Sequence, residues 1–315
     1  MSESTVVVFG EQPPVRLDRL AGRAQVVVCD EKTLPDALPS ADVLLVWDFT
    51  SDAVRDAWPG DGPRPAWVHT ASAGVDRLLS PELTASDTVL TNARGVFEQP
   101  IAEYVAGLVI AMGKDFFGSW ELQRQRRWQH RETMRLAGTR AAVIGAGPIG
   151  RAIGTTLSAL GIKVDLVGRT ARPGVRGNDE LPELLRHADW VISVAPLTDA
   201  TRGMFDRAAF ARMKPTARFI NVGRGPLVVE DDLKAALLGR HIAGAALDVF
   251  ENEPLSPEDP LWDVPGLFVS PHMSGDTVGW RDHLAEQFQD NYDRWSVGEP
   301  LLNIVDKRLG YVPVD

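Results

Sequence analysis

Ala141-Ala142-Val143-Ile144-Gly145-Ala146-Gly147-Pro148-Ile149-Gly150 decides the fold: an apolar run delivers the chain into three glycines spaced GxGxxG, and a helix-like stretch follows as far as Gly161. Each glycine has a separate physical task in such a turn. Gly145 permits the tight passage from strand to helix, Gly147 lets backbone approach a pyrophosphate, and Gly150 lets the helix pack closely on the sheet. The N-terminal amides of that helix then face the anion. Gly145, Gly147, Pro148, Ile149 and Gly150 are therefore the expected dinucleotide contacts. With 28 glycines in 315 residues, near-matches arise in ordinary turns, so the surroundings must carry the reading. Lys163 to Val167 reads as the next strand, and the apolar runs Trp190 to Ala195, Phe219 to Val222, Ala243 to Val249 and Leu267 to Ser270 alternate with helical or turn-rich segments. That rhythm predicts an α/β fold with a doubly wound parallel sheet of the Rossmann type, because each crossover must carry the chain back over one face of the sheet.

Upstream of the glycines, Val6 to Phe9, Val26 to Cys29, Val43 to Trp47, Trp67 to Thr70 and Thr88 to Thr91 are short β-like runs separated by Pro-, Asp- and Gly-rich segments. They predict a smaller α/β unit. Pro100 stands just inside a helical pattern, Ile101 to Met112, as suits a first helical turn. The hinge between the two units is placed near Ala93 to Phe97. Downstream, Trp280 to Trp295 brings Leu284, Phe288 and Tyr292 to helical spacing before Gly298-Glu299-Pro300 stops it. No repeat is evident, which removes solenoid folds.

A length of 315 residues with 44% hydrophobic and 24% charged residues suits two globular domains. The net charge of -10 argues against nucleic acid as a partner, since a phosphate backbone calls for a basic face. The densest basic stretch, Arg124-Gln125-Arg126-Arg127, lies between Trp120 and Trp128 and reads as a solvated or subunit-facing helix. Val6 to Phe9 is far too short for a signal-peptide core and no membrane segment is apparent, so a cytoplasmic location is expected. The single cysteine, Cys29, ends an apolar run and reads as a buried structural thiol. His69, His130, His187, His241, His272 and His283 form no pair at i,i+3 or i,i+4, so no helical metal site is expected.

Four further stretches follow the glycine motif: Ala195-Pro196-Leu197-Thr198 with Thr201, Asn221-Val222-Gly223-Arg224-Gly225, Leu247-Asp248-Val249-Phe250-Glu251-Asn252-Glu253-Pro254-Leu255, and Ser270-Pro271-His272. In this order, and over nearly the whole chain, they resemble the D-isomer-specific 2-hydroxyacid dehydrogenases, which include glyoxylate and hydroxypyruvate reductases. The resemblance implies a discontinuous, flavodoxin-like substrate domain over 1–95 and 283–315, and a dinucleotide-binding domain over 96–282. It also implies a dimerisation arm over 101–136 and hence a homodimer. On the same ground Ala195, Pro196, Thr201, Val222, Gly223, Asp248 and Ser274 join the cofactor contacts. Asp248 has two readings, a loop brace and a contact to the nicotinamide carboxamide.

Reduction of a 2-oxo acid requires a hydride donor, a proton for the developing alkoxide and a cation for the carboxylate. Arg224 offers a forked, permanently charged donor that binds a carboxylate and polarises the neighbouring carbonyl. His272 is expected to supply the proton, and the resemblance implies that Glu253 is the carboxylate that orients its ring and favours the charged form. The reductive direction then needs imidazolium and the oxidative direction neutral imidazole. For the substrate, Ala73-Gly74-Val75-Asp76 resembles the family's backbone loop that receives the carboxylate; an ordinary turn is the plainer alternative. Trp47, at the end of a strand, is placed in the pocket wall or in the core.

The Rossmann pattern expects an acidic residue at the end of the second strand to hold the ribose hydroxyls. Here Val167 is followed by Gly168-Arg169-Thr170, with Arg172 close behind, and Asp165 lies inside the strand. Arg169, Thr170 and Arg172 suit a 2′-phosphate, so NADP(H) is the expected cofactor, with NAD(H) as the second choice. The leading function is an NADPH-dependent reductase of small 2-oxo acids. The missing ribose-binding acid and the lack of a long C-terminal regulatory extension weigh against phosphoglycerate dehydrogenase. Formate oxidation is disfavoured because that branch of the family has an amide where Glu253 stands. A dinucleotide-sensing, corepressor-like interaction protein stays open, since it would keep the same residues.

Overall fold

The computed structural model describes residues 3–14 and 17–313. In chain order the elements are β1 (Ser4–Phe9), β2 (Ala24–Cys29), α1 (Leu34–Ala37), β3 (Val43–Val46), α2 (Ala53–Asp56), β4 (Trp67–Thr70), α3 (Pro81–Ala85) and β5 (Val89–Thr91). There follow α4 (Glu98–Gly113), α5 (Phe116–Arg124), β6 (Arg140–Ile144), α6 (Pro148–Ala159), β7 (Lys163–Gly168), β8 (Arg176–Gly177), α7 (Leu181–His187) and β9 (Trp190–Ser193). The last are α8 (Arg207–Arg212), β10 (Arg218–Asn221), α9 (Glu230–Leu238), β11 (Gly244–Leu247), β12 (Leu267–Val269) and α10 (Trp280–Ser296). The chain divides into one unit of Met1–Phe97 with Thr277–Asp315 and another of Glu98–Asp276. The second crossing precedes α10, not inside it as a boundary at 282/283 would require, because a helix packs as a whole. Among the described residues no helix is long and apolar enough to cross a membrane.

In the first unit the strands lie in the order β2-β1-β3-β4-β5, all parallel. This is the flavodoxin-like order. Central strands of a parallel sheet are covered on both faces, which is why Val6 to Phe9 and Val43 to Val46 are continuous apolar runs and are buried throughout. α10 closes one face: Leu284, Phe288 and Tyr292 are buried, and the Phe288 ring stacks on Trp67 at 5.4 Å. Thr91 joins a polar pair in this core. Its Oγ1 accepts from Trp67 Nε1 at 2.8 Å and lies 2.8 Å from His69 Nδ1. His69 Nε2 is buried with no hydrogen-bond partner among the described residues. Full burial pushes His69 down to about 3. Cys29 is buried, and burial pushes its thiol up to about 11.

In the second unit the order is β12-β11-β10-β9-β6-β7-β8, again with parallel pairings. Strand order reverses between β6 and β9. That switch point is where an open α/β sheet leaves a crevice beyond its carboxyl ends. α4 packs against α6. The expected arm over 101–136 is not one helix. Asp115, in the left-handed region at φ 50°, ends α4 and its carboxylate accepts the Gly118 amide to start α5. After Arg124 the chain doubles back, with the Met134 amide on Gly113 O at 3.0 Å and Lys114 Nζ on Met134 O at 2.7 Å. Leu136 packs over Gly113, where a Cβ would stand 2.5 Å from Leu136 Cδ2.

Candidate active site

The three glycines of the turn after β6 meet three different surroundings. Gly145 has φ +121°, and a Cβ on it would stand 2.6 Å from Val194 O, so the loops after β6 and β9 touch at the switch point. A Cβ on Gly150 would fall 1.7 Å from Gly145 O, which makes glycine a packing requirement there. Nothing lies within 4 Å of the Cβ position at Gly147. Gly147 is also the N-cap of α6 and brings no capping side chain to its amides. An uncapped helix start beside an open glycine fits the pyrophosphate of a dinucleotide. Pro148 and Ile149 form the first turn of that helix.

At the end of β7, Arg169, Thr170 and Arg172 are exposed. Arg172 Nη2 reaches back to Ala146 O at 3.4 Å, which holds a guanidinium beside the glycine turn. Asp165 is spent within the sheet, paired with Arg140 at 3.1 Å and with Arg176 at 3.6 Å. Every carboxyl-end position from Gly168 to Arg172 lacks an acid.

The next three strands deliver the remaining residues from their carboxyl ends. After β9, Ala195 is buried and Thr201 folds the loop on itself, donating to Pro196 O at 2.7 Å and accepting from the Thr198 amide at 2.9 Å. After β10, Val222 is buried, and the Asn221 side chain ties the turn from both sides. Its Oδ1 accepts from the Gly223 amide at 3.1 Å and its Nδ2 donates to Arg224 O at 2.9 Å. The glycines flanking Arg224 do more than reduce bulk. A Cβ on Gly225 would stand 1.9 Å from the Phe250 carbonyl, and one on Gly223 would meet Leu227 at 3.0 Å. The Arg224 turn is thus pressed onto the segment that carries Glu253.

Asp248, at the end of β11, is almost wholly buried and organises the loop after β12. Its Oδ1 accepts from Ser270 Oγ at 2.7 Å and the Met273 amide at 3.0 Å, and its Oδ2 accepts from the Ser274 amide at 2.9 Å. Its backbone carbonyl accepts from the His272 amide at 2.7 Å. Of the two readings of Asp248, the brace is visible. Ser274 is itself buried. His272 sits at φ 50°, a left-handed conformation that costs a non-glycine residue about 1 kcal/mol and needs such bracing.

His272 Nδ1 lies 2.8 Å from Glu253 Oε2, and Glu253 Oε1 accepts from the Phe250 amide at 2.9 Å. Burial pushes the Glu253 carboxyl up, but the His272 hydrogen bond and charge, the Phe250 amide and the Arg224 charge outweigh it and hold the group below its ordinary range. The pair is therefore an ionised carboxylate on one ring nitrogen, with a side chain that is 45% exposed at His272. Arg224 Nη1 donates to Gly223 O at 2.9 Å.

In the first unit, the loop after β4 has its carbonyls tied. Asn92 Nδ2 donates to Ala73 O and Ser72 Oγ to Gly74 O, each at 2.6 Å. The Val75 side chain belongs to the core, so only its main chain is available to a ligand. Trp47 is 8% exposed and its amide donates to Phe9 O.

Asn221 and Ser270 stand inside stretches that the sequence singles out, but their bracing roles come only from the folded turns. Tyr104 on α4, whose hydroxyl interacts with Ser270, carries no local signal at all.

Comparison with known proteins identifies the family. Residues 106–274 match the family model described as D-isomer specific 2-hydroxyacid dehydrogenase, NAD binding domain. The chain is 30% identical to a glyoxylate reductase of Thermofilum pendens over 98% of this chain and 96% of that protein. It is 34% identical to glyoxylate/hydroxypyruvate reductase A of Photorhabdus laumondii, over 86% and 88% respectively. An NADPH-dependent glyoxylate/hydroxypyruvate reductase of Sinorhizobium meliloti, solved with NADP and sulfate, superposes with a TM-score of 0.83 at 28% identity, over 98% of this chain and 100% of that one.

Proposed function

This chain belongs to the D-isomer specific 2-hydroxyacid dehydrogenases, NAD(P)-dependent oxidoreductases, and from that premise we propose that it reduces small 2-oxo acids of the glyoxylate and hydroxypyruvate kind to D-2-hydroxy acids. NADPH is the preferred cofactor and supplies the hydride when bound. The observation that carries the reading is the His272–Glu253 contact at 2.8 Å beside Arg224.

With Nδ1 held by an ionised carboxylate, His272 has Nε2 left to give a proton to the substrate oxygen as negative charge develops there. Arg224 holds the substrate carboxylate and polarises the adjacent carbonyl. Trp47 and the main chain of Ala73, Gly74 and Val75 serve the substrate, and the unit Glu98–Asp276 serves the dinucleotide through the glycine turn and the loops bearing Ala195, Pro196, Thr201, Val222, Gly223, Asp248 and Ser274. Beyond its braces, Asp248 Oδ2 keeps lone-pair capacity for the nicotinamide carboxamide. The preference for NADPH is supported by exposed Arg169 and Thr170, by Arg172 beside the glycine turn, and by the NADP bound in the Sinorhizobium relative. Homodimer formation through the folded-back arm is supported by its exposed Phe116, Trp120 and Trp128. The cytoplasm is the proposed place of action.

The test is NADPH and NADH consumption with a panel of 2-oxo acids. Turnover that is faster with NADPH and abolished by His272→Ala is expected. Cofactor binding without turnover on any acid would favour the sensing protein, and a clear NADH preference would overturn the cofactor assignment.

A further inference from the structure

We propose that Ser270 is a positioning residue for His272, acting through the buried carboxylate of Asp248. The proposal rests on the reading of His272 as the proton donor. Asp248 grips the loop on both sides of the histidine. On the far side it receives two main-chain amides, Met273 at 3.0 Å and Ser274 at 2.9 Å. On the near side it receives the Ser270 hydroxyl, at 2.7 Å. Both Ser270 and Asp248 are buried, at 5% and 2% exposure, so water does not replace a lost bond there.

Between these grips His272 adopts its left-handed backbone, with its amide shared by Asp248 O at 2.7 Å and Ser270 O at 3.1 Å. The direction of the imidazole, and with it the contact to Glu253, follows from that backbone. Tyr104 of α4 is a polar neighbour of Ser270. Burial raises the Tyr104 hydroxyl above its ordinary range.

Among the described residues, Glu253 on the segment after β11 contacts the His272 ring and the Asp248 carbonyl its amide, while Arg224 after β10 acts on Glu253 and Tyr104 on α4 neighbours Ser270. Deleting the Ser270 hydroxyl changes none of their charges. A shift in His272 titration after that deletion therefore reports geometry.

The experiment compares Ser270→Ala and Ser270→Thr with the wild-type chain in four measurements: kcat for glyoxylate reduction, the Kd for NADPH, the melting temperature, and the titration of the His272 imidazole by NMR. His272→Gln assigns the resonance. Ser270→Ala is expected to lower kcat roughly 10- to 100-fold, to shift the His272 titration midpoint, and to leave the NADPH Kd within about twofold. Ser270→Thr, which keeps the hydroxyl, is expected to restore both. An unmoved His272 titration with kcat within about twofold of wild type overturns the proposal. So does a kcat loss that tracks only a lower melting temperature while the titration stays in place. If the wild-type chain turns over no 2-oxo acid, the functional reading fails first, and the NMR arm still decides whether Ser270 positions His272.

Discussion

Glu253 binds Nδ1 of His272, not Nε2, at 2.8 Å, and so selects which ring nitrogen is left for chemistry. Because the carboxyl is held below its ordinary range, it is an anion throughout the neutral range and favours imidazolium. Glu253→Gln is expected to slow reduction roughly 100-fold at neutral pH and to move the alkaline limb of its pH profile downward, while the loss in the oxidative direction is smaller. Profiles of kcat/KM in both directions check this, and an unmoved alkaline limb contradicts it.

Gly147 and Gly150 separate binding from folding. Gly147→Ala introduces a methyl into open space and is expected to keep the melting temperature while weakening NADPH binding about tenfold, or about 1.4 kcal/mol. Gly150→Ala drives the same methyl into Gly145 O and is expected to lower the melting temperature itself. Thermal scans with and without NADPH, alongside titration calorimetry, distinguish the two. Equal destabilisation by both changes would remove the assignment of Gly147 to the ligand.

Arg169 and Arg172 should discriminate between cofactors. A charge-assisted contact to a 2′-phosphate contributes about 1.5–3 kcal/mol, so each Arg→Ala change is expected to raise the NADPH Kd at least about tenfold and to leave NADH binding nearly unchanged. Parallel losses for both cofactors would mean that the arginines serve the turn and not the phosphate. Arg172, with its bond to Ala146 O, is the one expected to show some of both effects.

His69 sets an acid limit on stability. Its native value of about 3 lies below the ordinary 6.5, so as pH falls below 6.5 the unfolded chain takes up a proton that the native core refuses. Stability contributed by the neutral ring is complete above 6.5 and is lost between 6.5 and about 3, at about 1.4 kcal/mol per pH unit. Urea unfolding at pH 7, 6 and 5 should show a steeper decline for the wild type than for His69→Gln. Parallel curves for the two proteins would argue that the ring is accessible to protons in the native state.

Much of this was legible before folding because it is local. The GxGxxG spacing and the apolar runs of the two sheets are properties of contiguous residues, and Arg224, Glu253 and His272 stand in short stretches whose order carries the family resemblance. The doubled-back arm was not legible. Its break depends on Asp115 capturing the Gly118 amide and on Leu136 packing over Gly113, contacts that helical periodicity does not encode. Nor was the bracing of the site. Asn221 and Ser270 act on turns through side-chain geometry, and Asp248 collects donors from residues more than twenty positions away.

Gly168 bears on how readily this protein could be retooled for a cofactor without the 2′-phosphate. The natural place for a ribose-binding carboxylate is the end of β7, yet a Cβ at Gly168 would stand 3.0 Å from Val175 Cγ1, 3.4 Å from Arg172 Nη1 and 3.5 Å from Ala146 Cβ. A new acid there would crowd Val175 and be neutralised by Arg172 before it met a ribose. An acid at 168 therefore serves a ribose only if Val175 gives way and Arg172 releases the new carboxylate.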